Sequence, residues 1–313
     1  DAGHEGQVAA IRARQSLPIS PVSRAAPGVV ARRTRSRHAA CGAASFAFPG
    51  RVIRYHGGVS AAASFPSLLP DFRVVRALPS SALGERLLIE SVHERTPRLA
   101  HVLPASLADR LAPGVDQLVR RRLPHVEPIE QVRSDSGKAV LIAPYLGHIG
   151  GLITLDALAA SRGGRLSAPE IAYAGEHLLM ALDAAHAQRT YNGPLDPALI
   201  VVDRGGRTHI ELFGVARFCE RGAVEAAKIN EQELLAELTS VFELLFRALT
   251  GLDRRSLGVR PGQAVAGLDP ALDAWLAKGL APAEGQQGYE SAEHALAELR
   301  DRSGSRATVT EAP

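Results

Sequence analysis

Cysteine is almost missing from these 313 residues: Cys41 and Cys219 are too few for a disulfide framework or a cysteine-based zinc site, and their spacing fits neither. A reducing, cytoplasmic setting is the default reading. Lysine is nearly as scarce, with only Lys138, Lys228 and Lys278 among 36 basic side chains. No apolar run approaches the roughly 18 to 20 residues that a membrane-spanning helix needs. The best candidate, Ala139 to Leu155, is broken by Pro144, Gly147, His148 and Gly150-Gly151. Catalytic signatures are lacking as well: there is no His-Glu-x-x-His spacing among the eleven histidines, no Gly-x-Ser-x-Gly elbow, and no local motif around Cys219. Cys219 therefore reads as a structural or surface thiol, His177 and His186 as a surface and a core histidine, and Trp275 as core. What is present, 46% hydrophobic residues with 36 basic and 33 acidic side chains, suits one or two folded domains and excludes a wholly disordered polymer.

Residues 1 to about 70 lack sustained periodicity, are dense in Ala, Ser, Gly, Pro and Arg, and carry nine arginines in the first 60 against only Asp1 and Glu5. They read as a disordered basic extension. The cluster Arg32-Arg33-Thr34-Arg35-Ser36-Arg37 would neutralise phosphates of a nucleic acid or an anionic surface, or serve merely as a solvated tail. The composition also resembles an organelle transit peptide, although Pro18, Pro21 and Pro27 oppose the amphipathic helix such a peptide needs. A start at Asp1, with Met180 the only methionine, is read as that of a fragment or of a translation extended upstream of its true start.

From Asp71 the texture changes to short apolar segments: Phe72 to Leu78, Glu85 to Val92, Leu99 to Leu103, Val126 to Val132 and Ala139 to Leu146. These predict a small antiparallel sheet, interrupted by one short helix over Ser106 to Arg122 that Pro113-Gly114 weakens. Beyond Gly151 helices dominate. Ser167-Ala168-Pro169-Glu170 is a capping box, and Ile171, Ala174, Leu178, Leu182 and Ala185 recur on one face up to about His186. Val201 to Ile210 reads as a hairpin turning at Gly205-Gly206, and Glu231 to Thr250 as a helix apolar nearly all round and hence central. Asp269 caps a further helix that begins at Pro270 and ends before Gly279, and Ser291 to Arg302 forms the last.

The order of these segments, with the motifs in them, resembles a serine/threonine protein kinase of the eukaryotic type, in its bacterial branch. His186-Ala187-Gln188 followed by Asn192 to Ile200 is similar in register to the family's catalytic loop, and Leu212-Phe213-Gly214-Val215-Ala216-Arg217 to its Asp-Phe-Gly-x-Ala-Arg. Phe72 to Leu78 resembles the first strand, Pro79 to Gly84 occupies the glycine-rich loop, and Arg98 to Pro104 sits where Val-Ala-Leu-Lys-Val-Leu-Pro is usual. Leu123 to Ile129 resembles His-Pro-Asn-Ile-Val-Pro-Ile. The resemblance covers about 71 to 303. It implies an α+β, two-lobed protein-kinase-like fold: extension 1–70, sheet lobe 71–146, helical lobe 147–303 and a disordered tail 304–313.

The same resemblance places the chemistry and finds it gone. Phosphoryl transfer is mostly the placing of charges around ATP and its metal. The phosphate-pairing lysine is His101, with no lysine nearby to substitute, and the glycine-rich loop keeps only Gly84. The helix that should supply the lysine's partner offers Gly114 or Asp116. The catalytic carboxylate is Pro194, the phosphate-contacting lysine is Asp196, and the metal ligands are Leu199 and Leu212. Ala143 would be the gatekeeper, and the backbone of Pro144 and Leu146 would hold adenine, a vestigial cleft open at most to weak metal-free nucleotide. Glu237 stands at the position of the central helix's Asp. The Ala-Pro-Glu motif is missing and Gly288 replaces the Arg that pairs with it; Val215 to Glu233 is far shorter than a family activation segment, and with no Ser or Thr between Phe218 and Glu237 it offers no phosphorylation switch.

These losses imply a pseudokinase with no ATP or magnesium cofactor and no bound metal, acting as a protein-binding or regulatory module, with a protein partner such as another kinase. Two alternatives stay open: an atypical kinase using Asp196 as base and Asp203 or Glu211 as metal ligand, and an Arg-rich tether carrying the domain as passenger. Strand alternation is expected to turn Glu211 away from the face of Leu212, and Asp203 falls in the hairpin turn.

Overall fold

Two periodicities divide the chain, a repeat of two before residue 145 and a repeat of 3.6 after it. A computed structural model describes residues 68–111, 115–119, 121–135, 137–148, 150–253 and 258–309, with side chains as far as 302. Residues 1–67 of the basic extension, with its Arg cluster, lie outside the described residues, whereas Leu68 and Leu69, expected to belong to that extension, are buried against the sheet. Five strands, β1 Phe72–Ser81, β2 Gly84–Ser91, β3 Pro97–Leu103, β4 Gln131–Asp135 and β5 Lys138–Pro144, form one antiparallel sheet in the order β1-β2-β3-β5-β4. Leu87, Ile89, Ala100, Val102, Val140 and Ile142 pack together on one face, covered by Leu68 and Leu69. The alternate residues Arg86, Leu99, His101, Leu141 and Ala143 therefore face the other way, towards the helical lobe. Gly84 is needed where β2 begins: its φ is +143°, and a Cβ there would lie 2.1 Å from the Val102 carbonyl oxygen.

Two expectations for this lobe are corrected. The helical stretch after β3 is split into α1 Ala105–Leu111 and α2 Val115–Val119, on either side of the proline and glycine that were expected to weaken it. The apolar run from Val126 is not the fourth strand, which starts only at Gln131. Instead Val126 bridges to Ile210, and the Glu127 N–H donates to the Ile210 carbonyl at 2.9 Å. Ile129 is buried and Val126 partly so, each against a core that includes residues of the helical lobe, which periodicity alone does not separate from burial in a sheet.

In the helical lobe α3 Leu155–Ser161 is capped by Thr154, and α4 Ala168–Ala187 by the expected Ser167/Glu170 box. Strands β6 Ile200–Val202 and β7 Thr208–Ile210 form the expected hairpin. Then come α5 Val215–Ala226, α6 Glu231–Thr250, α7 Pro261–Ala264, α8 Pro270–Leu280 and α9 Ala292–Val309. Leu178, Leu182, Phe242, Leu245, Trp275 and Leu296 make the centre of one continuous core. Trp275 is fully buried, and its indole N–H donates to the Ala295 carbonyl at 2.9 Å, which satisfies its only polar atom. Gly279 does not end α8 but lies inside it. A Cβ there would stand 2.1 Å from the Phe242 ring, so the glycine lets α6 and α8 approach rather than stopping the helix. Among the described residues no helix is long and apolar enough to cross a membrane.

Candidate functional site in the cleft between the lobes

The loop on the helical side of the cleft is held by α6. Glu237, fully buried, accepts the Asn192 N–H at 3.0 Å, Ser240 Oγ accepts the Leu195 N–H at 2.9 Å, and Asn192 Oδ1 accepts the Gly214 N–H at 2.8 Å. These contacts give Glu237 a structural reason to sit early in a central helix. On the loop so fixed, Pro194 is exposed and has no side-chain base to offer. Asp196 is half-buried and its Oδ1 accepts the Ala198 N–H at 2.9 Å, capping the single 3-10 turn Pro197–Leu199.

Hydrocarbon fills the two positions expected from the resemblance to be those of metal ligands. Leu199 and Leu212, 6% and 1% exposed, join Leu103, Leu111, Leu141 and Phe218 in one buried apolar cluster that runs from the sheet lobe through α1 to α5. Hard cations take oxygen ligands, so this arrangement does not fit magnesium. Phe213 turns instead into the core of the helical lobe. The segment that follows, read from the sequence only as a shortened activation segment, is the helix α5, interrupted at Gly222. Its Arg217 is buried and donates to the carbonyls of Ala226 and Lys228 and to Glu233.

His101, expected from the resemblance to replace a lysine, is 2% exposed on the sheet, with Nε2 3.0 Å from Glu127 Oε2. Directly opposite it in the β2–β3 ladder stands Arg86, also 2% exposed. The Arg86 guanidinium donates to the Pro79 carbonyl (3.2 Å), to the Ala198 carbonyl (2.6 Å) and to Glu211, so one side chain ties β1 and β2 to the loop of the other lobe. The segment expected to occupy the glycine-rich loop is a tight turn in which Ser81 pairs with Gly84 and Arg86 holds Pro79. Asp116, one of the two candidate partners for the missing lysine, is exposed on α2; Gly114 lies outside the described residues. At the far end of the cleft Ala143 is fully buried and pairs with Leu99, while Pro144 and Leu146 are half-buried.

Glu211 does not turn away from the cleft. β7 ends at Ile210, the Glu211 N–H is taken by the Leu199 carbonyl (2.9 Å), and Leu212 adopts φ +51°, so alternation stops one residue too early to apply. Both side chains point inward, Leu212 into the apolar cluster and Glu211, wholly buried, onto Arg86. Asp203 stays at the hairpin turn, as its sequence position suggests. It accepts the N–H groups of Gly205 (2.8 Å) and Arg207 (2.9 Å) and meets His209 Nε2 at 3.0 Å. Burial works against its ionisation, but those hydrogen bonds outweigh it and hold the carboxyl at about 2.

Burial pushes His101, Glu127 and Glu211 towards their neutral forms. It lowers His101 to about 4, raises Glu127 to about 8 against the pull of Arg86, and raises Glu211, with the Glu127 charge adding, to about 7. Both partners of the 3.0 Å His101–Glu127 contact are therefore neutral at pH 7, and it is a hydrogen bond from the Glu127 carboxyl to Nε2 rather than an ion pair. Arg86 and Glu127 were not singled out from the sequence. The available signal was an arginine at an inward-facing position of an otherwise apolar strand, Arg86-Leu87-Leu88-Ile89, with lone acids at Glu127 and Glu211 to receive it.

No protein-family model matches this sequence, and a comparison with curated proteins finds no match. Solved structures do match. They include the crystal structure of the Mycobacterium tuberculosis PknI kinase domain and that of a double mutant of it, each at 20% identity and a TM-score of 0.56, covering 74% of this chain and 95% of the other. With its small antiparallel sheet and its helical second lobe, the chain has a protein-kinase-like fold.

Proposed function

We propose that this domain is a pseudokinase: a kinase-shaped binding or regulatory module that does not transfer phosphate. The observation that carries the reading is the Arg86 bridge to Glu211 and the Ala198 carbonyl, which fills the cleft with a buried ionic contact beside Leu199 and Leu212. Phosphoryl transfer needs cations at the phosphates, oxygen ligands for the metal and a base at the acceptor hydroxyl. Here those positions hold His101, two leucines and Pro194. Nucleotide phosphates entering this cleft would lose their hydration and meet hydrocarbon, buried acids and a single guanidinium already held by Glu211 and two carbonyls. A domain of this kind acts through its surface, and the expected partner is a protein, such as another kinase, in the cytoplasm.

The competing reading, an atypical kinase with relocated charges, draws on Glu211 lying in the cleft and Asp196 lying on the loop. Against it, Glu211 Oε2 is held by Arg86 and Asp196 caps its own turn. The test is transfer of labelled phosphate from ATP, with magnesium and with manganese, to the protein itself and to a generic acceptor protein. No transfer above that of heat-unfolded protein is expected. Transfer that Asp196→Asn abolishes would overturn the proposal in favour of the relocated base. The tether reading is separated by salt: binding to nucleic acid or anionic vesicles that falls steeply with salt, and vanishes without residues 1–60, would support it.

A further inference from the structure

Buried polar atoms without partners are costly, and several gathered in one place point to something that they bind. His101, Glu127 and Glu211 each offer one ligand atom, and those atoms all lie within 4.8 Å of one another. All three side chains are at most 2% exposed. In addition, His101 Nδ1, Glu127 Oε1 and Glu211 Oε1 are buried and have no hydrogen-bond partner. One edge of a coordination polyhedron is already formed. Metal bonds of about 2.0 Å in a tetrahedral site set neighbouring ligand atoms roughly 3.3 Å apart, and His101 Nε2 lies 3.0 Å from Glu127 Oε2. The outer shell is in place as well, because Arg86 grips Glu211 through Oε2 and leaves Oε1 facing no other group.

We propose that His101, Glu127 and Glu211 form a buried site for a divalent transition-metal ion of the zinc type. One imidazole nitrogen with two carboxylate oxygens suits zinc, cobalt or manganese, and does not suit magnesium, which keeps several waters and oxygen ligands only. In the metal-free cleft the His101–Glu127 pair is joined by the Glu127 proton; a divalent ion would take the place of that proton, which is released to solvent, and with Arg86 would balance the two carboxylates. The ion would join strand β3 through His101 to the segment after β7 through Glu211, and so pin one lobe to the other at the place where a kinase would grip phosphates. The inference rests on the geometry of these side chains and not on the pseudokinase reading, so the two stand or fall separately.

The full chain, stripped with chelator and dialysed, is titrated with zinc and with cobalt. Zinc at a hundredfold excess over its Kd is expected to raise the melting temperature by about 5 to 10 °C, with one ion bound per chain. Cobalt is expected to give a visible spectrum of four or five coordination without the charge-transfer bands of a thiolate ligand. Glu127→Gln and His101→Gln should each abolish the shift, and the metal-free melting temperature of each variant reports whether it folds. His209→Gln, in the separate group with His125 and His177, should keep the shift. The proposal is overturned if wild type shows no shift, if the shift survives in both Glu127→Gln and His101→Gln, if millimolar magnesium reproduces it, or if cobalt reports sulfur ligation. If neither variant folds, the cobalt spectrum and the magnesium control on wild type decide.

Discussion

Replacing Arg86 by methionine tests what holds the cleft shut. The substitution keeps the length of the apolar stem but removes a guanidinium that is 2% exposed and donates to Pro79, Ala198 and Glu211. Two carbonyls lose a charged donor, and a fully buried carboxylate loses its only cation. Breaking one side of a buried pair costs about 3–5 kcal/mol. For a domain of this size each kcal/mol moves the melting temperature by about 2–4 °C, so the expected fall is roughly 6–20 °C. Glu211 has an escape, since burial, and then the Glu127 charge, already lifts it to about 7 and loss of Arg86 lifts it further. The fall should therefore be larger at pH 8, where wild type ionises Glu211, than at pH 6, where a proton replaces the lost cation. Adding Glu211→Leu to Arg86→Met should recover most of the loss, because an apolar replacement of a whole buried pair is often neutral or stabilising by about 1–4 kcal/mol. Differential scanning calorimetry of the four proteins at pH 6 and pH 8 completes the double-mutant cycle. A single-variant fall under about 2 °C at pH 8, or additive single effects in the double variant, would refute the latch.

Two further outcomes follow from the packing. Restoring the kinase residue by Leu212→Asp should not restore phosphotransfer. It should lower stability by about 3 kcal/mol or more, since it strands a carboxylate in the apolar cluster of Leu103, Leu111 and Phe218; a variant that melts like wild type contradicts that packing. Burial, and next the charge of the stacked His125 ring 4.0 Å away, lowers His177 to about 4. A folded value below the unfolded one gives stability that is present above about pH 6.5 and lost as pH falls through about 4, worth on the order of 2–3 kcal/mol for this buried ring. Glu127 and Glu211, raised by burial, work in the opposite sense above their unfolded values. The measurement is therefore the difference between wild type and His177→Gln, which should shrink from pH 7 to pH 4; a constant difference would contradict the assignment.

Much of the architecture was legible because local rules and global packing agree in it. The Ser167 box starts α4, Asp269 and Pro270 start α8, and the run from Glu231 to Thr250 forms one helix that is buried nearly all round from Glu237 onward. Where they disagreed, a tertiary contact had decided the residue. Gly279 looks like a helix stop but lies inside α8 with Phe242 packed against it, and Val126 looks like a sheet strand but bridges to Ile210 of the helical lobe. The cleft was half legible. Motif register singled out His101, Pro194, Asp196, Leu199 and Leu212 as the positions where the resemblance expects a kinase's charges. It could not show what had replaced them, because Arg86, Glu127 and Glu211 are scattered over 125 residues and only the fold brings them together. Glu211 in particular was misjudged by alternation, which fails at the first residue past a strand's end.

The most direct measurement is the melting temperature of the full chain with millimolar ATP, with and without magnesium, since a ligand of the native state must stabilise it by mass action. No shift in either condition is the result expected of a cleft crossed by Arg86 and lined by Leu199 and Leu212. A magnesium-dependent rise would mean that the phosphates and metal find cations and carboxylates after all, and would contradict the pseudokinase reading.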